Sequence, residues 1–563
     1  MTHGGRRRRA AIGLFHELEP PGVVVGRQVA VDAFVLALLR HGRRFDYSLY
    51  VYPRQVPEIT KRLGRGPARG HVRDRRELGA LGQGGFAAWH EPQFDSYASF
   101  ALRVRSRSHW PITILHHSLS YKELLHASVL PLLLARPRRY DALVTTSSSA
   151  EKALRRIVEH VAGRFNEEHG TSLSYRGRFE RIPLGVDTDR FRPRNRALGR
   201  SRFGLERDAF VLLWVGRLSA IDKADLLPLV RCFAELKRGN PKRKLRLVCA
   251  GSEHPNDPFG EAIMGFARRL GVGEAVTVLK RDERVEECKE LLYAAADVFV
   301  SPVDNVQESF GLAPIEAMAC GIPQIVADWN GYRDSVRHGE TGFLVDTVWA
   351  DCQGDLGSDA FLSDTACDHL ALSQSVAVDM GALSLCIQRL MDEPALRKAM
   401  AAQSRRRALE KYAWPVVIHS YEALWAELSA EAKRAPGPVA GGGRYAMPDY
   451  GGFFRAYASR EIGSQTALRL TAQGRRAAGQ RGGLPSHYID RWRHLHRGIL
   501  ERIMGALGRE EVKGMALSVG QILTQVRGTG EAAAGDSALM RHVLFLVKYG
   551  LAEETKKRPG RIA

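Results

Sequence analysis

The sequence predicts an α/β protein made of two successive, doubly wound parallel-sheet domains that face a cleft, followed by a small helical extension. Three observations predict it. Short apolar runs alternate with amphipathic stretches up to about residue 400, the rhythm of a parallel sheet covered by helices. That rhythm restarts near residue 209 and yields a second unit of similar size. A Pro/Gly stretch, PGPVAGGG at 436–443, then ends it and reads as a linker.

The elements follow in order. AAIGLF (10–15), YSLYVY (47–52), ITIL (112–115) and ALVTTS (142–147) read as strands of the first domain. RQVAVDAFVLALLRHG (27–42) reads as a helix stopped by Gly42. In the second domain AFVLLWVG (209–216), LRLVCAG (245–251), AVTVL (275–279), VFVSP (298–302) and PQIVA (323–327) read as strands. Between them DLLPLVRCFAELKRGNP (225–241) and FGEAIMGFARRLGV (259–272) read as helices. Residues 347–380, rich in Asp and Gly, break the rhythm and read as a solvated insertion loop. The expected domains are 1–190, 191–435 with final helices crossing back to the first, a Gly/Arg-rich and partly disordered linker at 436–489, and a helical module at 490–563.

The composition narrows the function classes. A hydrophobic share of 44% is ordinary for a globular chain, whereas a formal net charge of +21 is not. Residues 1–76 carry 16 Lys/Arg against 6 Asp/Glu, and residues 440–563 carry 20 against 10, so the middle is close to neutral. Basic ends fit an anionic partner, either a membrane surface or nucleic acid; the alternative is an Arg-rich solvated surface. Seven cysteines, all between Cys232 and Cys386, form no C-x-x-C pair. No disulfide framework, no zinc spacing and a reduced cytosolic compartment are therefore expected. RRRR at 6–9 precedes too short an apolar run for a signal peptide. The best apolar run, ASVLPLLLA at 127–135, falls far short of the roughly 20 residues a spanning helix needs.

The chemistry concentrates in ESFGLAPIEAMACGIPQIVADWNG, residues 308–331. Glu308 and Glu316 stand eight positions apart, with small residues between them and Pro314 marking a helix start. Glycines let backbone N–H groups approach a ligand closely. A carboxylate can accept both hydroxyls of a ribose diol. Taken alone the spacing is weak, since Glu316 in a first helical turn also reads as a helix-dipole carboxylate.

The neighbouring motifs decide the matter. RIPLGVDTDRFRP (181–193), VGRLSAIDK (215–223), ESFGLAPIEAMACGIPQIVAD (308–328), GETGFLV (339–345) and EKYAWPVVIHSYEALW (410–425) come in the order found in the family 4 glycosyltransferases. The chain resembles that family, the glycosyl transferases group 1 with the E-x7-E motif, over about residues 10–430. The resemblance implies the GT-B fold of two facing Rossmann-like domains and a retaining, hexosyl-type transfer from a nucleotide-diphosphate sugar to an acceptor hydroxyl. Arg217 and Lys223 would bind the donor diphosphate and steady the leaving nucleotide. Glu308 would contact the sugar near the reacting carbon, Glu316 the ribose, and Gly311 and Leu312 the donor through the turn. His116 matches the first-domain histidine that lines the sugar cleft, with His117 one position away as the alternative. Gly26 matches the glycine of the first-domain loop that faces the donor or acceptor. The chain departs from the family pattern at Ala224, at Asn330-Gly331, and in the loop CAGSEHPND (249–257), which leaves the nucleotide open. No metal and no cofactor beyond the donor are expected.

The tail reads as three helices, in 490–508, 518–526 and 536–550, that faintly resemble a winged helix, with Leu539, Val543, Leu546 and Val547 as a core face. Dimerisation or partner docking through it is favoured over nucleic-acid binding. The expected site of action is the cytoplasm, with peripheral contact to the inner face of an anionic membrane. The alternative to an enzyme is a non-catalytic protein that senses a nucleotide sugar, or binds nucleic acid or a partner, on the same fold.

Overall fold

The computed structural model describes residues 10–17, 26–63, 70–80, 85–94, 97–253, 257–280, 288–350, 362–435, 449–478, 495–527 and 536–555, with positions 354, 356, 484 and 489. The chain divides into two compact units, 1–447 and 448–563.

The larger unit holds two parallel sheets. The first contains β1 (Ala11–Phe15), β2 (Asp46–Val51), β3 (Gly70–Asp74), β4 (Ala88–Glu91), β5 (Ile112–Leu115), β6 (Ala142–Thr145) and β7 (Arg178–Arg181), in the spatial order β3-β2-β1-β4-β5-β6-β7. The second contains β8 (Phe210–Val215), β9 (Leu245–Gly251), β10 (Val276–Lys280), β11 (Val298–Ser301), β12 (Gln324–Ala327) and β13 (Gly342–Val345), in the order β10-β9-β8-β11-β12-β13. Every pairing in both sheets is parallel. In each sheet the winding reverses beside the first strand, which is where an open α/β sheet leaves a crevice for a ligand.

β3, β4 and β7 are not legible as apolar runs, whereas β13, GFLV, is apolar and lies within the GETGFLV stretch. β4, AWHE, is wholly buried although half of it is polar. Its His90 Nδ1 lies 2.9 Å from Thr113 Oγ1, and Glu91 accepts from Ser99 Oγ, whereas His90 Nε2 and Trp89 Nε1 are buried without a hydrogen-bond partner.

The helix Trp414–Arg434 packs on the first sheet and its helices. Trp425 Nε1 donates to Thr113 Oγ1 at 2.9 Å. Glu422 accepts from the backbone N–H groups of Arg43 at 2.7 Å and Arg44 at 2.5 Å, and from Tyr47 OH. Among the described residues no helix is long and apolar enough to cross a membrane.

Two expectations need correction. The insertion is not a plain solvated loop: Thr347–Trp349 pairs antiparallel with Val376–Val378, and between them the helix Thr365–Ser373 is capped by Asp364. The stretch 436–489 is not all linker either. Ala467–Leu470 is the central strand of a three-stranded antiparallel sheet, flanked by Leu517–Ser518 and Ala552–Glu554. Helices Arg497–Val512, Val519–Val526 and Asp536–Lys548 cover this sheet around a core of Leu468, Leu500, Ile503, Ile522, Leu539, Val543 and Leu546. The extension is thus α+β, and strand pairing between residues some 50–85 positions apart is what the local pattern could not show. Residues 436–448 and 490–494 lie outside the described residues.

Candidate functional site

At the reversal point of the second sheet, the chain leaving β8 turns through Gly216, Arg217 and Lys223, while the chain leaving β11 runs to Glu308 and Gly311. The two loops lie side by side because β8 and β11 are hydrogen-bonded neighbours. Asn305 Nδ2 donates to Ile221 O at 2.5 Å and ties them together.

Gly311 takes φ +95°, and a Cβ there would stand 2.2 Å from Tyr332 Cε1. Only glycine meets both conditions. This turn starts the helix Leu312–Ala319 at the cleft. The helix begins at Leu312, so Glu316 sits in its second turn, not in its first; the helix-dipole reading therefore fails, and tertiary partners hold the carboxylate instead. Lys289 Nζ approaches Glu316 Oε2 at 2.7 Å and Tyr293 OH donates to it at 2.6 Å.

The two cations are both engaged with carboxylates. Lys223 Nζ pairs with Glu308, and Arg217 pairs with Asp222 at 2.5 Å. Asn330 Nδ2 donates to the Glu308 carbonyl, and Ser147 Oγ of the first domain donates to Ser309 O at 2.9 Å. The loop between the glutamates is thus fastened on both sides. Nearby, burial pushes the Asp304 carboxyl up to about 7, against the Asp225 backbone N–H that donates to it at 3.3 Å.

Arg217, Lys223, Glu308, Gly311, Leu312 and Glu316 all line one cleft of about 1680 Å³, whose opposite wall comes from the first domain and includes Arg40, Arg73, His117 and Tyr121. The structure brings together every second-domain residue expected from the sequence. His116 is a correction: it packs behind the wall, fully buried, while His117 lines the cleft. His116 Nε2 accepts from Thr146 N–H at 3.2 Å, so it is the unprotonated nitrogen of a neutral ring. Burial, aided by His117, pushes its pKa down to about 3. His117 Nε2 lies 2.8 Å from Pro92 O. Gly26 opens the helix Gly26–His41; residues 18–25 of the loop before it lie outside the described residues.

Sequence reasoning missed Asp222, Lys289 and Tyr293. Asp222 is adjacent to Lys223 and could have been suspected. Lys289 and Tyr293 carry no local signal, because they reach Glu316 only through the packing of the helix Lys289–Ala295.

Two facing doubly wound domains, with cations and carboxylates gathered at a switch point, define a class of two-domain α/β proteins whose crevice lies between the sheets. Residues 209–352 match the model of the glycosyl transferases group 1. Curated relatives include D-inositol 3-phosphate glycosyltransferases from Nocardia farcinica, 38% identical over 33% of this chain and 41% of that one, and from Stackebrandtia nassauensis, 33% identical over 45% and 56%. The chain thus spans about half the length of the curated relatives it matches. Similar solved structures are a sucrose-phosphate synthase from Thermosynechococcus elongatus, with TM-score 0.50 and 20% identity over 75% of this chain and all of that one, and Anabaena HepE in complex with UDP, with TM-score 0.51 and 13% identity over 74% and 100%. These likenesses show the GT-B fold.

Proposed function

We propose that the protein is a nucleotide-sugar-dependent glycosyltransferase that works with retention of configuration and moves a hexosyl group to an acceptor hydroxyl. The observation that carries this reading is the convergence of Arg217, Lys223, Glu308 and Glu316 at the switch point between β8 and β11. HepE was solved with UDP, which favours a uridine diphosphate donor.

In this reading Glu316, held by Lys289 and Tyr293, accepts the ribose hydroxyls. Arg217 and Lys223 exchange their carboxylate partners for the diphosphate and stabilise its charge as the anomeric C–O bond breaks. Displaced from Lys223, Glu308 accepts hydrogen bonds from the sugar. The acceptor hydroxyl attacks from the face the diphosphate leaves, and a phosphate oxygen takes its proton. His117 lines the first-domain wall where the sugar would lie. Since these two side chains supply the positive charge, the reaction is assigned no metal.

The acceptor is proposed to carry an anionic group. Arg40, His41 and Arg73 line the first-domain side of the cleft, and the relatives are named D-inositol 3-phosphate glycosyltransferases. The test is a panel of nucleotide sugars, scored by thermal stabilisation and donor turnover with and without inositol phosphate, with Lys223→Ala and Glu316→Ala alongside. A donor that stabilises the wild type and not the variants supports the reading. A panel in which no nucleotide sugar shifts the wild type overturns it.

A further inference from the structure

The insertion expected to be a solvated loop delivers a buried histidine to the donor site. His369, on the helix Thr365–Ser373, is 1% exposed, and neither ring nitrogen has a hydrogen-bond partner. Its Nδ1 stands 3.8 Å from Asp222 Oδ1, beyond hydrogen-bond distance but within reach of a small shift. The Tyr121 ring lies edge-on to it, 5.2 Å between centroids. Asp222 is the carboxylate that holds Arg217. The helix lies outside the segment that matches the family model, so this histidine belongs to the chain's own elaboration.

The helix is fastened across the cleft. Lys122 of the first domain pairs with Asp368 at 3.1 Å and donates to Ser363 O, and Thr365 Oγ1 donates to Glu123 at 3.5 Å. Tyr121 OH accepts from Gln307, the residue before Glu308, at 2.5 Å. The charged groups around His369 are therefore Asp222 and Arg217 from the loop after β8, Lys122 and Glu123 from the first domain, and Asp364 and Asp368 from its own helix. Lys122 is engaged with Asp368 and Lys223 with Glu308.

An aspartate inside an anion-binding site poses an electrostatic problem. While Arg217 is bound to it, Asp222 is neutralised. When Arg217 turns to a diphosphate, Asp222 is left as a partly buried carboxylate beside a dianion, which is unfavourable unless a proton or another cation arrives. Among the described residues, Arg217 and His369 are the two basic groups within ion-pair distance of Asp222. Imidazole is the side chain whose ordinary titration spans neutral pH.

We propose that His369 is the replacement counter-ion: on donor binding its free ring nitrogen takes up one proton from solvent, and the imidazolium replaces Arg217 as the partner of Asp222. Asp222 stays a carboxylate, Arg217 moves from carboxylate to phosphate oxygen, and the net change is one proton bound per diphosphate bound. His369 acts through Asp222 and Arg217, so it is a positioning residue. The inference rests on the donor-site reading above.

The experiment is calorimetric titration of the full chain with UDP, and with GDP in parallel, between pH 6 and 8 in buffers of different ionisation heat. His369→Gln, Asp222→Asn and the double variant are measured alongside. Subtracting the variant from the wild type removes the nucleotide's own titration. The expected result is that near pH 7 the wild type takes up close to one proton more than His369→Gln, and that it binds roughly fiftyfold tighter at pH 6, with the gap shrinking to about twofold by pH 8. In the Asp222→Asn background, His369→Gln has no further effect. Equal proton counts and parallel pH profiles for wild type and His369→Gln overturn the proposal while leaving the donor site standing. If His369→Gln does not fold, Asp222→Asn carries the same test, because it must abolish the extra proton uptake. A wild type that binds neither nucleotide overturns the donor-site reading and this inference with it.

Discussion

The Lys223–Glu308 pair makes a prediction of opposite sign for its two members. Both side chains are largely buried, Lys223 22% and Glu308 9% exposed, so the contact is poorly screened compared with a surface pair. In the free protein Glu308 competes with a diphosphate for the same ammonium group. Lys223→Met removes a charge-assisted bond to phosphate, worth about 1.5–3 kcal/mol, and so weakens UDP binding roughly 10- to 150-fold. Glu308→Gln removes the competitor, so UDP binding holds or tightens, up to about tenfold if half of that pair energy is recovered. On the proposed reading sugar transfer nevertheless falls, because the carboxylate assigned there to the sugar hydroxyls is gone. Titration calorimetry with UDP and single-turnover transfer assays separate the two effects. If Glu308→Gln weakens UDP as much as Lys223→Met does, the competition argument is wrong and the pair is a structural strut.

Three further outcomes are expected. Gly311→Ala forces a side chain into φ +95° and against the Tyr332 ring, which costs about 1–3 kcal/mol in backbone strain alone; UDP affinity should fall together with the thermal midpoint. Glu422→Ala strips the acceptor from Arg43 N–H, Arg44 N–H and Tyr47 OH, so urea unfolding should show a loss of about 3–5 kcal/mol with Glu422→Gln milder. Asp304, with its carboxyl raised to about 7 from 3.8, keeps a proton in the folded state that the unfolded chain has released. Its contribution to stability is therefore full below the lower value and is lost as pH rises through the upper one. Asp304→Asn should flatten the decline in urea midpoint between about pH 4 and pH 7, and an unchanged slope would refute the assignment.

The strands that were read from the sequence are those whose residues are apolar on both faces. ITIL at 112–115 and LRLVCAG at 245–251 coincide with β5 and β9, because a parallel strand covered on both sides must be continuously apolar. AWHE and RFER were missed because each carries polar residues whose partners come from elsewhere in the fold. The second-domain cleft residues are legible because a strand, a tight turn and a helix start confine them to short segments. The first-domain histidine was legible only to within one position: His116 and His117 follow the same strand, and the packing of Thr146 decides which ring is turned inward.

The sequence by itself determined what depends on local order: two rounds of strand and helix, the glycine-bearing turns, and the carboxylates and cations at their ends. Tertiary structure alone decided how those charges are partnered. Lys223 and Glu308 are 85 positions apart, and Tyr293 reaches Glu316 across 23. His369 meets Asp222 through a helix in what reads as an Asp-rich loop. The physical reason is that periodicity records which face of an element is buried, whereas the pairing of buried charges depends on which elements the sheet order brings side by side.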